Sequence, residues 1–126
     1  MYFTGRFQIM KYQITEEKMI SFRDWLRREE RSEGTIEKYL RDIRHFYKWL
    51  GEEKRVNKTQ VMRYKEHLKE TYATSTANGM LVALNTYFGY LGWNECRVKT
   101  IKVQKQLFLN KEKELTWGEY HRLINL

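Results

Sequence analysis

A single cysteine, Cys96, stands among the 126 residues, so no disulfide can close within the chain and no cysteine-based zinc site can be assembled. Such sparing use of thiols fits a reducing compartment. The histidines His45, His67 and His121 have no ligand spacing among themselves; each reads as a surface or boundary residue, and neither a metal nor another cofactor is implied. No uninterrupted apolar run approaches the roughly 18 residues that a membrane span requires, and the N-terminus lacks the apolar region of a signal peptide. The expectation is a cytoplasmic protein with no membrane partner. Charge is also missing from one long internal stretch: between Glu70 and Glu95 every side chain is neutral.

Elsewhere charge is plentiful. Twenty-four Lys and Arg against sixteen Asp and Glu give a formal charge of +8, a balance suited to an acidic partner, with nucleic acid first among the candidates. With 41% hydrophobic and 32% charged residues, the composition is that of one folded domain rather than of a disordered or membrane chain.

The clearest pattern lies in residues 32–50. Ile36, Tyr39, Leu40, Ile43, Phe46, Tyr47 and Leu50 recur at the spacing of one helix face, while Lys38, Arg41, His45 and Lys48 fall opposite, with Arg44 at the border and Glu37 and Asp42 as the only acids. One side of this helix is core and the other is basic. Ser32 is its expected N-cap, and Gly51 is suited to the left-handed conformation past its end.

Three further helices follow from the same reasoning. A first one starts after the cap Thr15, with Glu16 and Glu17 at the positive end of the dipole and Met19, Phe22 and Leu26 as its inner stripe. A third starts at a capping box of Asn57 and Gln60 and buries Val61, Tyr64, Leu68 and Tyr72. The fourth, over about residues 75–91, is the uncharged one and is expected at the centre of the fold. Ala77, Leu81, Leu84, Phe88 and Leu91 line one face, and small or polar residues, including Asn78, Gly79, Asn85 and Gly89, line the other.

The organisation expected is a leader over residues 1–14, a compact all-α bundle of four helices over 15–93, an extended basic linker over 94–114 and the start of a further helix over 115–126. In the linker, Lys99, Lys102, Lys105, Lys111 and Lys113 are interspersed with Val98, Ile101, Val103 and Leu107. Thr116 and Glu119 form a last capping box before Tyr120, Leu123 and Ile124, an apolar stripe that calls for a partner domain.

Three cadences carry a resemblance. They are Ser32, Thr35 and Tyr39 followed by Phe46, Trp49 and Leu50; Ser75-Thr76-Ala77-Asn78 followed by Leu81, Leu84, Asn85 and Phe88; and Glu114-Leu115-Thr116 followed by Glu119-Tyr120. In this order they resemble the N-terminal core-binding (SAM-like) domain of tyrosine recombinases, or phage integrases, running into the first helix of the catalytic domain. The resemblance implies one arm of a clamp on double-stranded DNA at a recombination core site, with the second and fourth helices facing the major groove. It assigns DNA contact to Thr35, Lys38, Ser75, Thr76, Asn78 and Gly79, with Arg31, Arg41, Lys102 and Lys105 as phosphate contacts. It also implies a prokaryotic, nucleoid-associated parent that integrates or excises mobile DNA as a tetramer, whereas this chain alone is expected to be monomeric. Two features depart from the family's pattern: the linker has no proline, and Glu37 stands where a groove-facing residue is expected.

The family cuts DNA with a tyrosine in a later domain that carries a His-x-x-Arg motif. None of the three histidines here is followed by arginine at that spacing, so no catalytic residue and no strand cleavage are expected of this chain. The competing reading is a helical protein-interaction module whose basic face is merely solvated. A helix-turn-helix regulator fits less well, because the segment between the second and fourth helices does not supply the tight turn that joins two crossed helices.

Overall fold

The computed structural model describes residues 12–103. Four helices follow one another, α1 (Glu16–Arg28), α2 (Glu33–Trp49), α3 (Lys58–Thr71) and α4 (Thr74–Leu91), and a short 3-10 turn, Asn94–Cys96, comes after them. The first three begin where the sequence places their caps. Thr15 Oγ1 accepts from the Lys18 amide at 3.2 Å, Ser32 Oγ from the Thr35 amide at 3.2 Å and Asn57 Oδ1 from the Gln60 amide at 2.8 Å. Each satisfies one orphan N–H at a helix start, a contribution of about 1 kcal/mol. Ala73 precedes α4, and no side chain caps that helix.

The helix ends are less regular. α4 closes at Gly92 with φ 77°, and the amides of Gly92 and Trp93 bond back to the carbonyls of Gly89 and Phe88 in a Schellman arrangement. α1 closes in the same way with Glu30, a non-glycine residue at φ 59°. α2 departs from expectation. Its C-cap Leu50 is extended, with φ −64° and ψ 155°, and the left-handed turn falls at Lys54, φ 55°, rather than at Gly51. The reason is a cation. Lys54 Nζ donates to the carbonyls of Tyr47 at 2.6 Å and Leu50 at 3.4 Å and lies 4.4 Å from the Tyr47 ring, so an ammonium takes up carbonyls that a glycine-based cap would have satisfied.

α4 is the central element, packed against α2, α3 and the 3-10 turn. The expected stripes meet in one core: Met19, Phe22 and Leu26 from α1, Ile36, Ile43 and Phe46 from α2, Val61, Tyr64 and Leu68 from α3, and Ala77, Leu81, Leu84, Tyr87 and Phe88 from α4 are all fully buried or nearly so. Phe46 marks the junction, with its ring 4.8 Å from Tyr64 on α3 and 6.1 Å from Phe88 on α4. The architecture is all-α, and the one β-type contact among the described residues is an isolated bridge between Gln13 and Arg55.

The packed body reaches past both ends of the helical bundle. Residues 12–14, read from sequence as the end of a leader, are held: Ile14 is buried, its amide bonds to the Lys54 carbonyl at 2.9 Å, and the Tyr12 carbonyl accepts from the Val56 amide at 2.8 Å. Beyond α4, Trp93, Cys96 and Val98 join the core, so the first residues of the expected linker are packed chain. Lys105 and the helix expected from residue 115 lie outside the described residues.

One buried group among the described residues stands without a hydrogen-bond partner, the Tyr87 hydroxyl. Burial, reinforced by Tyr90 and Glu16, pushes its pKa upward and keeps it protonated. An unpaired buried hydroxyl is a net cost, so Tyr87→Phe is expected to leave stability unchanged or raise it by about 1 kcal/mol in urea denaturation. Ile43→Ala, at a fully buried position, is expected to lower stability by about 2 to 5 kcal/mol in the same measurement.

Candidate nucleic-acid interface

Where α2 packs on α4, the edge of its basic face borders the start of α4, and a groove of about 800 Å³ opens between them. Lys38, Arg41, Arg44 and Lys48 line it from α2, and Ser75, Thr76 and Gly79 from α4. A basic helix face and a charge-free helix start therefore share one concavity. At Gly79 a Cβ would stand 3.4 Å from Lys38 Nζ; with hydrogen there, the ammonium rests against α4.

Lys38 is held from its own helix as well. Its ammonium pairs with Asp42 at 2.5 Å, and Asp42 is only 7% exposed. In the sequence Asp42 counts as a charge offset on a wet face; in the fold it is a buried carboxylate whose counterion stands at the groove. Arg44 pairs with Glu16 on α1 at 2.8 Å, between two exposed side chains. Among the described residues Arg41 and Lys48 form no ion pair, and both are exposed.

His45 forms the inner wall of the groove. It is half-buried, as a boundary residue should be, with Nδ1 2.6 Å from the Tyr64 hydroxyl and Nε2 3.1 Å from the Tyr72 hydroxyl, so it ties α2 to α3 and to the residue that ends α3. Burial, then the neighbouring Tyr72 and Asp42, push the Tyr64 phenol toward its protonated form. That direction is opposite to what an activated tyrosine nucleophile needs. The surface brings cations, hydroxyls and an uncapped helix start together.

The remaining expected contacts lie off the groove lining. Arg31 is exposed in the turn between α1 and α2, and Thr35, in the first turn of α2, accepts a hydrogen bond from the Ser32 hydroxyl at 2.9 Å. Asn78 points to the other flank of α4, where Nδ2 donates to the Ile101 carbonyl at 2.9 Å and Oδ1 accepts from the Ile101 amide at 2.7 Å. Lys102, the next residue along that segment, is exposed. Glu37, Asp42, Arg44, His45, Lys48 and Tyr72 also line the groove without having been singled out as contacts. The placement of Arg44, His45 and Lys48 on or beside the basic face of residues 32–50 hinted at three of them, and Glu37, an acid, does stand at the groove.

Among the described residues no cluster of His, Cys, Asp and Glu is arranged to hold a metal ion, and no helix is long and apolar enough to cross a membrane. Comparison with family models matches residues 19–95 to the phage integrase, N-terminal SAM-like domain. No curated protein and no solved structure matches the chain. The matched span begins inside α1, ends inside the 3-10 turn and takes in α2, α3 and α4 whole, together with the groove they form. With more than half of its residues in that match, the chain belongs to the family of phage integrase N-terminal SAM-like domains.

Proposed function

We propose that this chain binds double-stranded DNA as the core-binding domain of a site-specific tyrosine recombinase, one arm of a clamp that holds the duplex while mobile DNA is integrated or excised. The observation that carries this reading is the shared groove, where Lys38 and Arg41 on α2 stand beside Ser75, Thr76 and Gly79 on α4. Arg41 and Lys48 supply cations for phosphates, and Lys38 arrives already oriented by Asp42. Ser75 and Thr76 are exposed in the first turn of a helix that no side chain caps, so hydroxyls and backbone N–H groups are available to a phosphate between those cations. The formal charge of +8 favours the same partner. A protein-interaction module would instead need a contiguous apolar patch, whereas the large exposed apolar residues among those described, Ile20, Met62, Val82 and Val103, fall one each on α1, α3, α4 and the segment that follows. In this reading the parent works on DNA in the prokaryotic nucleoid as a tetramer, and strand cleavage belongs to its catalytic domain.

Fluorescence anisotropy with a labelled duplex tests the proposal. Binding is expected to be weak and to fall steeply with salt, with a slope equivalent to about three to six phosphate contacts. Binding that ignores salt, or none at low salt, overturns it. Arg41→Ala is expected to weaken binding to every sequence by about 0.5 to 1.5 kcal/mol and to flatten the slope by about one unit. Lys38→Ala is expected to cost a similar amount of affinity but also some stability, because it leaves the Asp42 carboxylate buried without its cation. A supercoiled plasmid incubated with the purified chain is expected to stay intact on an agarose gel, and nicking would contradict the assignment of cleavage to the catalytic domain.

A further inference from the structure

The small, polar flank of α4 is occupied by the chain's own backbone. Asn85 Nδ2 donates to the Val98 carbonyl at 2.7 Å while its Oδ1 accepts from the Val98 amide at 3.0 Å, and Asn78 makes the same reciprocal pair with Ile101. Each carboxamide therefore plays the part of a neighbouring β-strand to one residue of an extended segment. The two sites are matched in spacing. Seven helical residues advance about 10.5 Å and return to within about 20° of the same face. Three extended residues span about 10 Å. Both clips can therefore close at once without strain. The start of the segment is fixed too, since Lys58 on α3 donates to the Arg97 carbonyl at 2.5 Å and Val98 is buried.

The order of the clips gives the segment a direction. Val98 meets Asn85 and Ile101 meets Asn78, so the chain runs antiparallel to α4, from the end marked by Gly92 back toward Thr74. From the level of Gly92 to that of Asn78 this return covers about 20 Å of helix axis. It ends at the level along α4 where Ser75, Thr76 and Gly79 line the groove, on the flank beside that lining.

We infer that Asn78 and Asn85 are positioning residues, whose amides strap residues 98–101 along α4 so that the chain leaves at the groove end and offers Lys102 to the same polyanion as Lys38 and Arg41. The role of Lys102 rests on the DNA reading above; the path of the chain does not. Neither asparagine then reads bases, because the strap takes both the amide nitrogen and the amide oxygen of each.

Paramagnetic relaxation separates the two. A nitroxide attached through Val103→Cys, with buried Cys96 left unlabelled, is expected to broaden the amides of residues 74–79 in the parent chain. With Asn78→Ala and Asn85→Ala together, the broadening should spread toward residues 88–92, and exchange of the Val98 and Ile101 amides should rise about tenfold while that of Leu68 and Leu84 stays unchanged. Should the double variant fail to fold, one glycine inserted between Lys99 and Thr100 keeps both asparagines and the buried chain but breaks the spacing, and is expected to free Ile101 alone. An unchanged broadening pattern, or equal acceleration in the core, overturns the strap. For the DNA arm, Lys102→Ala is expected to weaken duplex binding about threefold in the parent and to have no effect once the strap is released. No loss in the parent, or the same loss in both backgrounds, overturns the role of Lys102. Absence of duplex binding in every background removes the DNA reading and Lys102 with it, while the relaxation pattern still decides where the chain exits.

Discussion

A helix of 18 residues without one charged side chain has to be covered on most of its circumference, and the arrangement of this domain follows from how α4 is covered. α2 and α3 pack on the broad apolar face, with Phe46 of α2 against Phe88 and Tyr64 of α3 against Phe46, α1 reaches it through Phe22 on Tyr87, with ring centroids 5.0 Å apart, and Trp93 closes the far end against Phe88. The flank left over is too polar for another apolar stripe. Two asparagines there accept backbone instead, and the chain that emerges from α4 folds back to supply it. Only a narrow ridge with Ser75, Val82 and Gly89 is left exposed, and one edge of that ridge is the groove.

α2 reconciles two demands by the same division of faces. Its apolar stripe is locked in the core, so the cations opposite are carried on a rigid rod, and little side-chain freedom beyond their own rotamers remains to be lost on contact. Lys38 is the extreme case. A buried carboxylate one turn on and a glycine beneath it fix the ammonium, at the cost of part of its charge being already compensated. Arg41 and Lys48 are free of that compensation. The groove thus holds two cations already paired with carboxylates, Lys38 and Arg44, and two, Arg41 and Lys48, without an ion pair among the described residues. On the proposed DNA reading, that suits setting register on a phosphate backbone.

What was legible in the sequence was local. The caps Thr15, Ser32 and Asn57 each act on an amide three residues away, and the stripes of α1 to α4 repeat within a few turns, so pattern and chemistry lie side by side in the chain. The misreadings have their partners elsewhere. Gly51 looked like the end of α2 because the ammonium that satisfies its last carbonyls belongs to Lys54, beyond a turn whose path the sequence does not specify. Asp42 looked like a surface acid because its burial depends on where α4 lies. Periodicity set Lys38 and Arg41 on the basic face of one helix and Gly79 on the small, polar face of another; that these, with Ser75 and Thr76, share one surface was implied by the family resemblance, and their meeting in the groove depends on the packing of α2 on α4.

Asn78 shows how one side chain can suit two chemistries. A carboxamide offers one acceptor oxygen and one donor nitrogen as a matched edge, which pairs equally well with an adenine or with a peptide group. Read from sequence near the start of an uncharged helix, it resembles a base reader. Once the Ile101 amide and carbonyl take both atoms, the edge is committed, and recovering it would require breaking two hydrogen bonds that also hold the chain against α4. On the proposed DNA reading, discrimination among bases then falls to side chains whose polar atoms face the groove. Arg41 is the strongest of these, because it is exposed and among the described residues is not spent on a carboxylate, and a planar donor fork can match the paired acceptors of guanine. Ser75 and Thr76, shorter and bound to the helix start, are better placed to fix the backbone against which such a side chain would read.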